Sequence, residues 1–428
     1  MEIKKELEKA IKFQQNGKLD EAKNIYQKIL EKDSSIAEIH HNLGVLLKAQ
    51  NKLEEAEASI AKAISLKPNF FLSHYHMGNT KYKLRKYDES EFSYKKAINL
   101  KSDFIEAYIN LSRAQKELGK LGDSEESARI ALKINPNFPD SNMQLSSILF
   151  ERGRLSDDLK NQNIDKLIEA KENILKTIIQ KPYDSLAFLN HGVILQELGD
   201  LNMAKESFEK SLDLDSNSEL IKYNLDILLK QIELLKKIGI DIHKKISNLR
   251  FEKKFNKIPF ISHRKPNREL IDLLYKIKST ELNKTKGGPL FGNGKTSDYQ
   301  LFDNDNLILK NLKEDLIKMI KNEIKSDVFI IDSFFNILGA GGGSVPHHHL
   351  NSIDKNFKLD QQKYSLTYYL DVGDQSCNEP GYFVMEDPDE KVLPTNGMIM
   401  VIPASRKHSA VYNGKSDRLM IGVNFYCY

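Results

Sequence analysis

Cysteine is scarce in this chain: Cys377 and Cys427 are the only two in 428 residues. Two thiols give no disulfide framework, which fits a reducing compartment. Long apolar runs are missing as well, and none approaches the roughly 20 residues that a bilayer-spanning helix needs. The opening stretch, MEIKKELEKAIKFQQNGK, is charged throughout and lacks the apolar segment of a secretory signal. The expected location is cytoplasmic, with no membrane partner. Net charge is small, since 64 basic residues face 60 acidic ones and leave +4. Lysine is the main cation and is dispersed along helical stretches, as on solvated helix faces, so no nucleic-acid partner is expected. The length allows two or three domains with cores of their own.

What is present first is a repeat. Residues 37–68 read AEIHHNLGVLLKAQNKLEEAEASIAKAISLKP, and the pattern recurs at a period of 34. Gly44 is matched by Gly78 and Ser112, Ala63 by Ala97 and Ala131, and Pro68 by Ser102 and Pro136. A small residue at the eighth position lets the two helices of a copy pack closely, another at position 27 does so between copies, and proline closes the second helix. This resembles the tetratricopeptide repeat. A degenerate copy spans about 3–36, and good copies follow at 37–70, 71–104 and 105–138. A fifth, 139–184, carries about a dozen extra residues near SDDLKNQNIDKL. A sixth is 185–218, and 219–238 reads as a capping helix. Position six faces the groove in this fold. It holds Asn42, His76, Asn110, Gln144, Asn190 and Asn224. Side-chain amides donate and accept at once. The row looks like the asparagine ladder of O-linked N-acetylglucosamine transferases, which implies a protein or peptide bound in the groove.

The helical period fades from Gly239. A helix is expected from about Asn267, a loop over NKTKGGPLFGNGKTSD, and an amphipathic helix from near Leu307. The period then changes to two. DVFIIDSFFNILG, KYSLTYYLDV, GYFVMED, GMIMVIP, HSAVYN and DRLMIGVNFY are short runs of β-branched and aromatic residues. With SVPHHHL they make seven or eight strands, which suits a jelly-roll barrel. Within GGGSVPHHHLNS, Gly341 to Ser352, an extended strand would project His347 and His349 together and His348 the other way. Two imidazoles on one face are half of a metal site. His408, in PASRKHSAVY, is the candidate for the rest.

The stretch from about Ser333 to Tyr426 resembles the double-stranded β-helix of Fe(II)/2-oxoglutarate dioxygenases, in the bacterial and phage branch often found beside tetratricopeptide repeats. The matching residues are His347-x-His349 with Asn351 and Ser352, Tyr368-Tyr369-Leu370, Gly381 to Asp387-Pro388, Gly397 to Pro403, His408, and Arg418 ten residues later. The resemblance implies Fe(II) on His347, His349 and His408, with 2-oxoglutarate held through its distal carboxylate by Arg418 and assisted by Tyr368. A guanidinium fork fits a carboxylate well. The usual His-x-Asp or His-x-Glu is absent. A third imidazole leaves the metal two positive charges, which a dianionic co-substrate neutralises, and Asp354 and Asp387 are the alternative carboxylates. Gly341 to Asp354 and Gly397 to His408 also resemble the two cupin motifs, so a cupin-type metalloenzyme that does not use 2-oxoglutarate is the alternative. A third possibility is a non-catalytic repeat adaptor. The expected architecture is multidomain: an all-α tetratricopeptide superhelix over 1–238, a linker with the N-terminal part of the catalytic domain over 239–306, and an all-β jelly-roll oxygenase-like domain with flanking helices over 307–428.

Overall fold

The protein is described here by a computed structural model covering residues 2–154, 164–240, 260–282 and 289–428. Helical pairs come first: α1 (Glu2–Gln15), α2 (Leu19–Lys32), α3 (Ala37–Ala49), α4 (Leu53–Leu66), α5 (Phe71–Lys83), α6 (Tyr87–Leu100), α7 (Ile105–Glu117), α8 (Leu121–Ile134), α9 (Pro139–Arg154), α10 (Ile164–Gln180), α11 (Ser185–Leu198) and α12 (Leu201–Leu214), followed by α13 (Glu219–Lys237). The extra residues of the fifth copy fall largely outside the described residues, and α10 resumes at Ile164.

Small residues set the helix spacing. A Cβ on Gly44 would lie 2.5 Å from Ile60, and one on Gly78 2.5 Å from the Tyr94 ring. Ser112 replaces glycine in the next copy because its hydroxyl has an acceptor, the Ser124 carbonyl at 2.9 Å. Ala63, Ala97 and Ala131 are wholly buried. Tyr94 cannot easily yield to a larger residue, since its hydroxyl donates to Asn79 at 2.8 Å. Gly78→Ala is therefore expected to cost about 1–3 kcal/mol, read as a lower urea midpoint. An unchanged midpoint would mean that the ring moves aside freely.

Two compact units form, Met1–Ile194 with Lys210–Ser216, and Leu195–Glu209 with Asn217–Tyr428. The division falls inside the sixth copy, whereas sequence periodicity puts it at 238. The reason is side-chain pairing within the second unit. Lys230 on α13 bridges Asp226 at 3.0 Å and Asp303 at 2.5 Å, Gln300 donates to Asp226 at 2.9 Å, and Asn356 donates to the Glu197 carbonyl at 3.0 Å.

The second unit is β-rich. Its strands are β1 (Phe260–His263), β2 (Thr280–Glu281), β3 (Leu290–Phe291), β4 (Gly294–Thr296), β5 (Val328–Leu338), β6 (Gly342–His347), β7 (Lys363–Asp371), β8 (Phe383–Met385), β9 (Glu390–Val392), β10 (Met398–Pro403), β11 (His408–Tyr412) and β12 (Arg418–Cys427). They form two antiparallel sheets, a seven-stranded one in the order β1-β10-β7-β12-β5-β4-β2 and a five-stranded one in the order β3-β6-β11-β8-β9. The stretch expected as a loop holds β3 and β4, and its first residues, 283–288, lie outside the described residues. Gly292, at φ +79°, makes this possible: a Cβ there would meet the Gly341 carbonyl oxygen at 1.9 Å. Helices α14 (Arg268–Leu274) and α15 (Leu307–Ile324) are capped by Asn267 and Asn306, whose side chains accept from the amides of Glu269 and Ile308. Their apolar stripes cover one face of the larger sheet.

Alternation then sorts the residues of β5, β7 and β12. Tyr364, Leu366, Tyr368 and Leu370 of β7, Leu419, Ile421, Val423 and Phe425 of β12, and Phe335 and Ile337 of β5 pack in one core with α14 and α15. Their odd-and-even neighbours Ser365, Thr367, Tyr369, Met420, Gly422, Phe334, Asn336 and Leu338 line a cavity between the two sheets.

In the first unit, His41 is buried, its Nδ1 2.9 Å from Ser73 Oγ and its ring 5.1 Å from that of His76. Burial pushes His41 down to about 4 and His76 down to about 3. Both values lie below the ordinary 6.5, so unfolding takes up protons as the solution is acidified. Their contribution to stability is complete above pH 6.5 and is lost as pH falls towards 4. The melting temperature is expected to fall across that window, and less steeply in His41→Phe. Equal slopes would assign the loss to carboxylates instead.

Candidate metal centre

Antiparallel pairing of β6 with β11 sets His347 opposite His408. Strand β6 ends there, so His349 is not held by strand geometry as expected. Its amide instead donates to the Ala404 carbonyl at 2.8 Å. The three rings converge, with centroids 4.5 Å apart for His347 and His408, 5.1 Å for His347 and His349, and 5.0 Å for His349 and His408. One ring nitrogen from each lies within 4.8 Å of the others, and the Nε2 atoms of His349 and His408 are 3.2 Å apart.

Two of the three ring orientations are set by backbone. His347 Nδ1 lies 2.9 Å from the Val345 carbonyl oxygen, and His408 Nδ1 lies 3.2 Å from that of Arg406. A carbonyl oxygen only accepts, so each Nδ1 carries its hydrogen and each Nε2 keeps a lone pair. This is how metal-ligating histidines are oriented from behind. Phe383 stacks on His408 at 4.9 Å. Burial lowers all three pKa values, His408 to about 4, so the rings are neutral near pH 7. Three neutral imidazoles whose ring nitrogens converge fit a divalent transition metal.

Other expected residues stand elsewhere. His348 does not face away: it lines the same cavity, though outside the three-ring cluster, and its Nδ1 accepts from the Leu350 amide at 3.2 Å. Asp354 is wholly buried and already occupied. It pairs with Lys363 at 2.9 Å and accepts from Tyr426 at 2.6 Å and the Asn351 amide at 2.7 Å. Asp387 is exposed and outside the cluster. Neither supplies a carboxylate to the histidines. Tyr368 is on the helix-covered face, its hydroxyl donating to the Arg264 carbonyl at 3.0 Å. Tyr369, one residue on, lines the cavity instead.

Arg418 lies on the inner side of β12 with Met420 and Gly422, but β12 pairs with β5 and β7 and not with β11. It is wholly buried. Three of its five N–H groups donate to carbonyl oxygens, of Val372 at 3.3 Å, Gly381 at 2.6 Å, and Pro380. Tyr412 lies 4.6 Å from the guanidinium and Tyr369 5.9 Å. Burial lowers its pKa, and no carboxylate among the described residues pairs with it. Arg418 is not itself on the cavity wall, but Tyr369 is on that wall and near Arg418. Sequence reasoning missed Asn336, Ser365, Thr367 and Tyr369, which strict alternation along β5 and β7 could have found.

The row of position-six amides is partly used up within the protein. Gln144 is buried and donates to Ser112 at 3.3 Å. Asn110 donates to Tyr75 and Asn79 and accepts from Arg113. His76 packs against His41, and Asn224 belongs to the β-rich unit, donating to the Leu220 carbonyl. Asn42 and Asn190 are half-buried.

If the cluster binds metal, His349→Ala and His408→Ala are each expected to abolish binding of one Co(II) per chain, while His348→Ala keeps it. Loss in His348→Ala with retention in His349→Ala would reassign the ligands.

The tetratricopeptide repeat family matches this chain at residues 37–70, 72–104, 105–138 and 186–218. No curated protein matches it. Similar solved structures include YrrB, described as a TPR protein with an unusual peptide-binding site. It is 22% identical, covering 46% of this chain and 96% of its own, with a TM-score of 0.37. PilF of Pseudomonas aeruginosa is 16% identical over 52% of this chain and 95% of its own, at 0.44. A tetratricopeptide repeat protein from Parabacteroides merdae is 17% identical over 55% and 87%, at 0.44. No helix of the described residues is long and apolar enough to cross a membrane. The chain therefore carries tetratricopeptide repeats followed by a β-rich region of two antiparallel sheets.

Proposed function

We propose that the β-rich region is an Fe(II)- and 2-oxoglutarate-dependent oxygenase that hydroxylates a protein or peptide recruited by the repeats. The observation that carries this is the convergence of three neutral imidazoles, two of them oriented by backbone carbonyls, on one wall of a cavity. Strand order supports a jelly roll. From β5 to β12 the chain passes back and forth between the sheets, with β5, β7, β10 and β12 in the larger and β6, β8, β9 and β11 in the smaller.

His347, His349 and His408 would hold iron, which when bound supplies the O2 chemistry. Phe383 fixes the His408 ring, and Phe334, Leu338 and Met420 give the cavity an apolar wall that excludes water. Arg418 supports the co-substrate assignment. Hydrogen bonds to carbonyls satisfy three donors, but they leave its charge without an anion, and a buried cation is costly in that state. A carboxylate would supply the missing charge and accept the two remaining N–H groups. The repeats supply the interaction arm. A cupin-type oxidation without 2-oxoglutarate is the second reading, favoured by the carbonyl bonds that already hold Arg418 away from the cavity wall.

Titrating the anaerobic Fe(II)-loaded protein with 2-oxoglutarate separates the two. The first reading expects the weak visible charge-transfer band of a chelated 2-oxo acid. Arg418→Gln should raise the concentration needed at least about tenfold, since charge-assisted bonds are worth roughly 1.5–3 kcal/mol. No band from iron-loaded wild type at millimolar 2-oxoglutarate would hand the assignment to the cupin-type reading.

A further inference from the structure

Asn336 is unlike its neighbours on the inner face of β5. Phe334 and Leu338 flank it there, and Met420 stands opposite it on β12. Asn336 is only 4% exposed, yet its carboxamide oxygen has no hydrogen-bond partner. Its amide nitrogen makes no hydrogen bond to the described residues either. A buried amide with nothing to bond destabilises the fold that holds it. Nothing in the packing of β5 requires it, since an apolar residue of the same shape would suit this position.

The cavity tells what would satisfy it. About 220 Å³ in volume, it is the scale of one side chain, below that of ordinary drug-sized pockets. The histidine cluster lines it, and so does Asn336. Ser365, Thr367 and Tyr369 on β7 add hydroxyls to its wall. Among the described residues that line it there is no Lys, Arg, Asp or Glu. A lysine or arginine entering this space would lose its water and meet no opposite charge, and a divalent metal on the histidines would repel it. A carboxamide or a peptide group is neutral and carries one acceptor and one donor face, complementary to both ends of the Asn336 amide.

We propose that Asn336 is a specificity-determining residue that recognises an amide, the side-chain carboxamide or the backbone peptide group of an uncharged segment, and presents that segment to the histidine cluster. This rests on reading the cluster as a metal centre. Lys or Arg at the residue that enters the cavity is then rejected, because both the metal and the buried space oppose a cation.

The test uses the full chain loaded with Co(II), whose visible bands report histidine ligation and nearby ligands. The probes are the α-N-acetyl amides of asparagine, leucine and lysine. Saturable band shifts are expected with asparagine or leucine, and at least about tenfold weaker ones with lysine. Asparagine ahead of leucine identifies the side-chain carboxamide, and parity identifies the backbone group. Asn336→Leu should weaken the response at least about fivefold while one Co(II) per chain remains bound. The same variant should raise the melting temperature of the metal-free protein, because it removes an unpaired buried amide. A lowered melting temperature would make Asn336 structural and overturn the proposal, as would unchanged amide binding in Asn336→Leu or preference for the lysine probe. If wild type binds no cobalt, the metal-centre reading fails by itself. Calorimetry on the metal-free protein then decides the amide site: heat of binding lost in Asn336→Leu supports it, and none in wild type overturns it.

Discussion

The pairing of β6 with β11 is the constraint on which the site depends. It sets His347 across from His408, then shifts register before Ser344 meets Ala410. A Cβ on Gly343 would come within 2.3 Å of the Ala410 carbonyl oxygen, so glycine there allows the two backbones to close on each other. A slip of one residue would turn His347 to the opposite face and scatter the cluster. The carbonyl of Arg406, 3.2 Å from His408 Nδ1, holds that ring from behind. The cluster is thus held by backbone, which moves less than side chains do.

The space between the sheets is polar at its two ends for different reasons. At one end Asp354, Lys363 and Tyr426 satisfy one another, both charges fully out of water. Removing either charge would strand the other, so this trio is committed to the fold. At the other end Arg418 is equally buried and has carbonyls and aromatic rings around it, but no acid among the described residues pairs with it. Gly381 belongs to that arrangement, since a Cβ there would lie 1.9 Å from the guanidinium. One buried charge is closed by protein and the other is not, and this contrast makes Arg418 the residue to question about a ligand.

The repeats follow a simpler rule. Their helix pairs close because glycine, serine and alanine recur where helices cross, and each copy needs only its neighbours. Polar side chains that resemble a binding row from their spacing are drawn into the same packing. Ser112 takes the amide of Gln144, and Tyr75 and Asn79 take that of Asn110. The groove is therefore less uniform than its period implies.

From the sequence by itself came the period of 34, the change to a period of two, and the three histidines, because small residues at crossings, alternation and rare imidazoles are local signals. Short β3 and β4 left no such signal, being two and three residues long and set by the close approach of Gly292 to Gly341. Tertiary structure alone decided which of Tyr368 and Tyr369 enters the cavity, since adjacent residues on a strand differ only in which sheet face the core claims. It also decided that Asp354 is spoken for and that Asn336 is not. A side chain's hydrogen-bond partners come from strands far away in the chain, and only folding brings them within reach or leaves them absent.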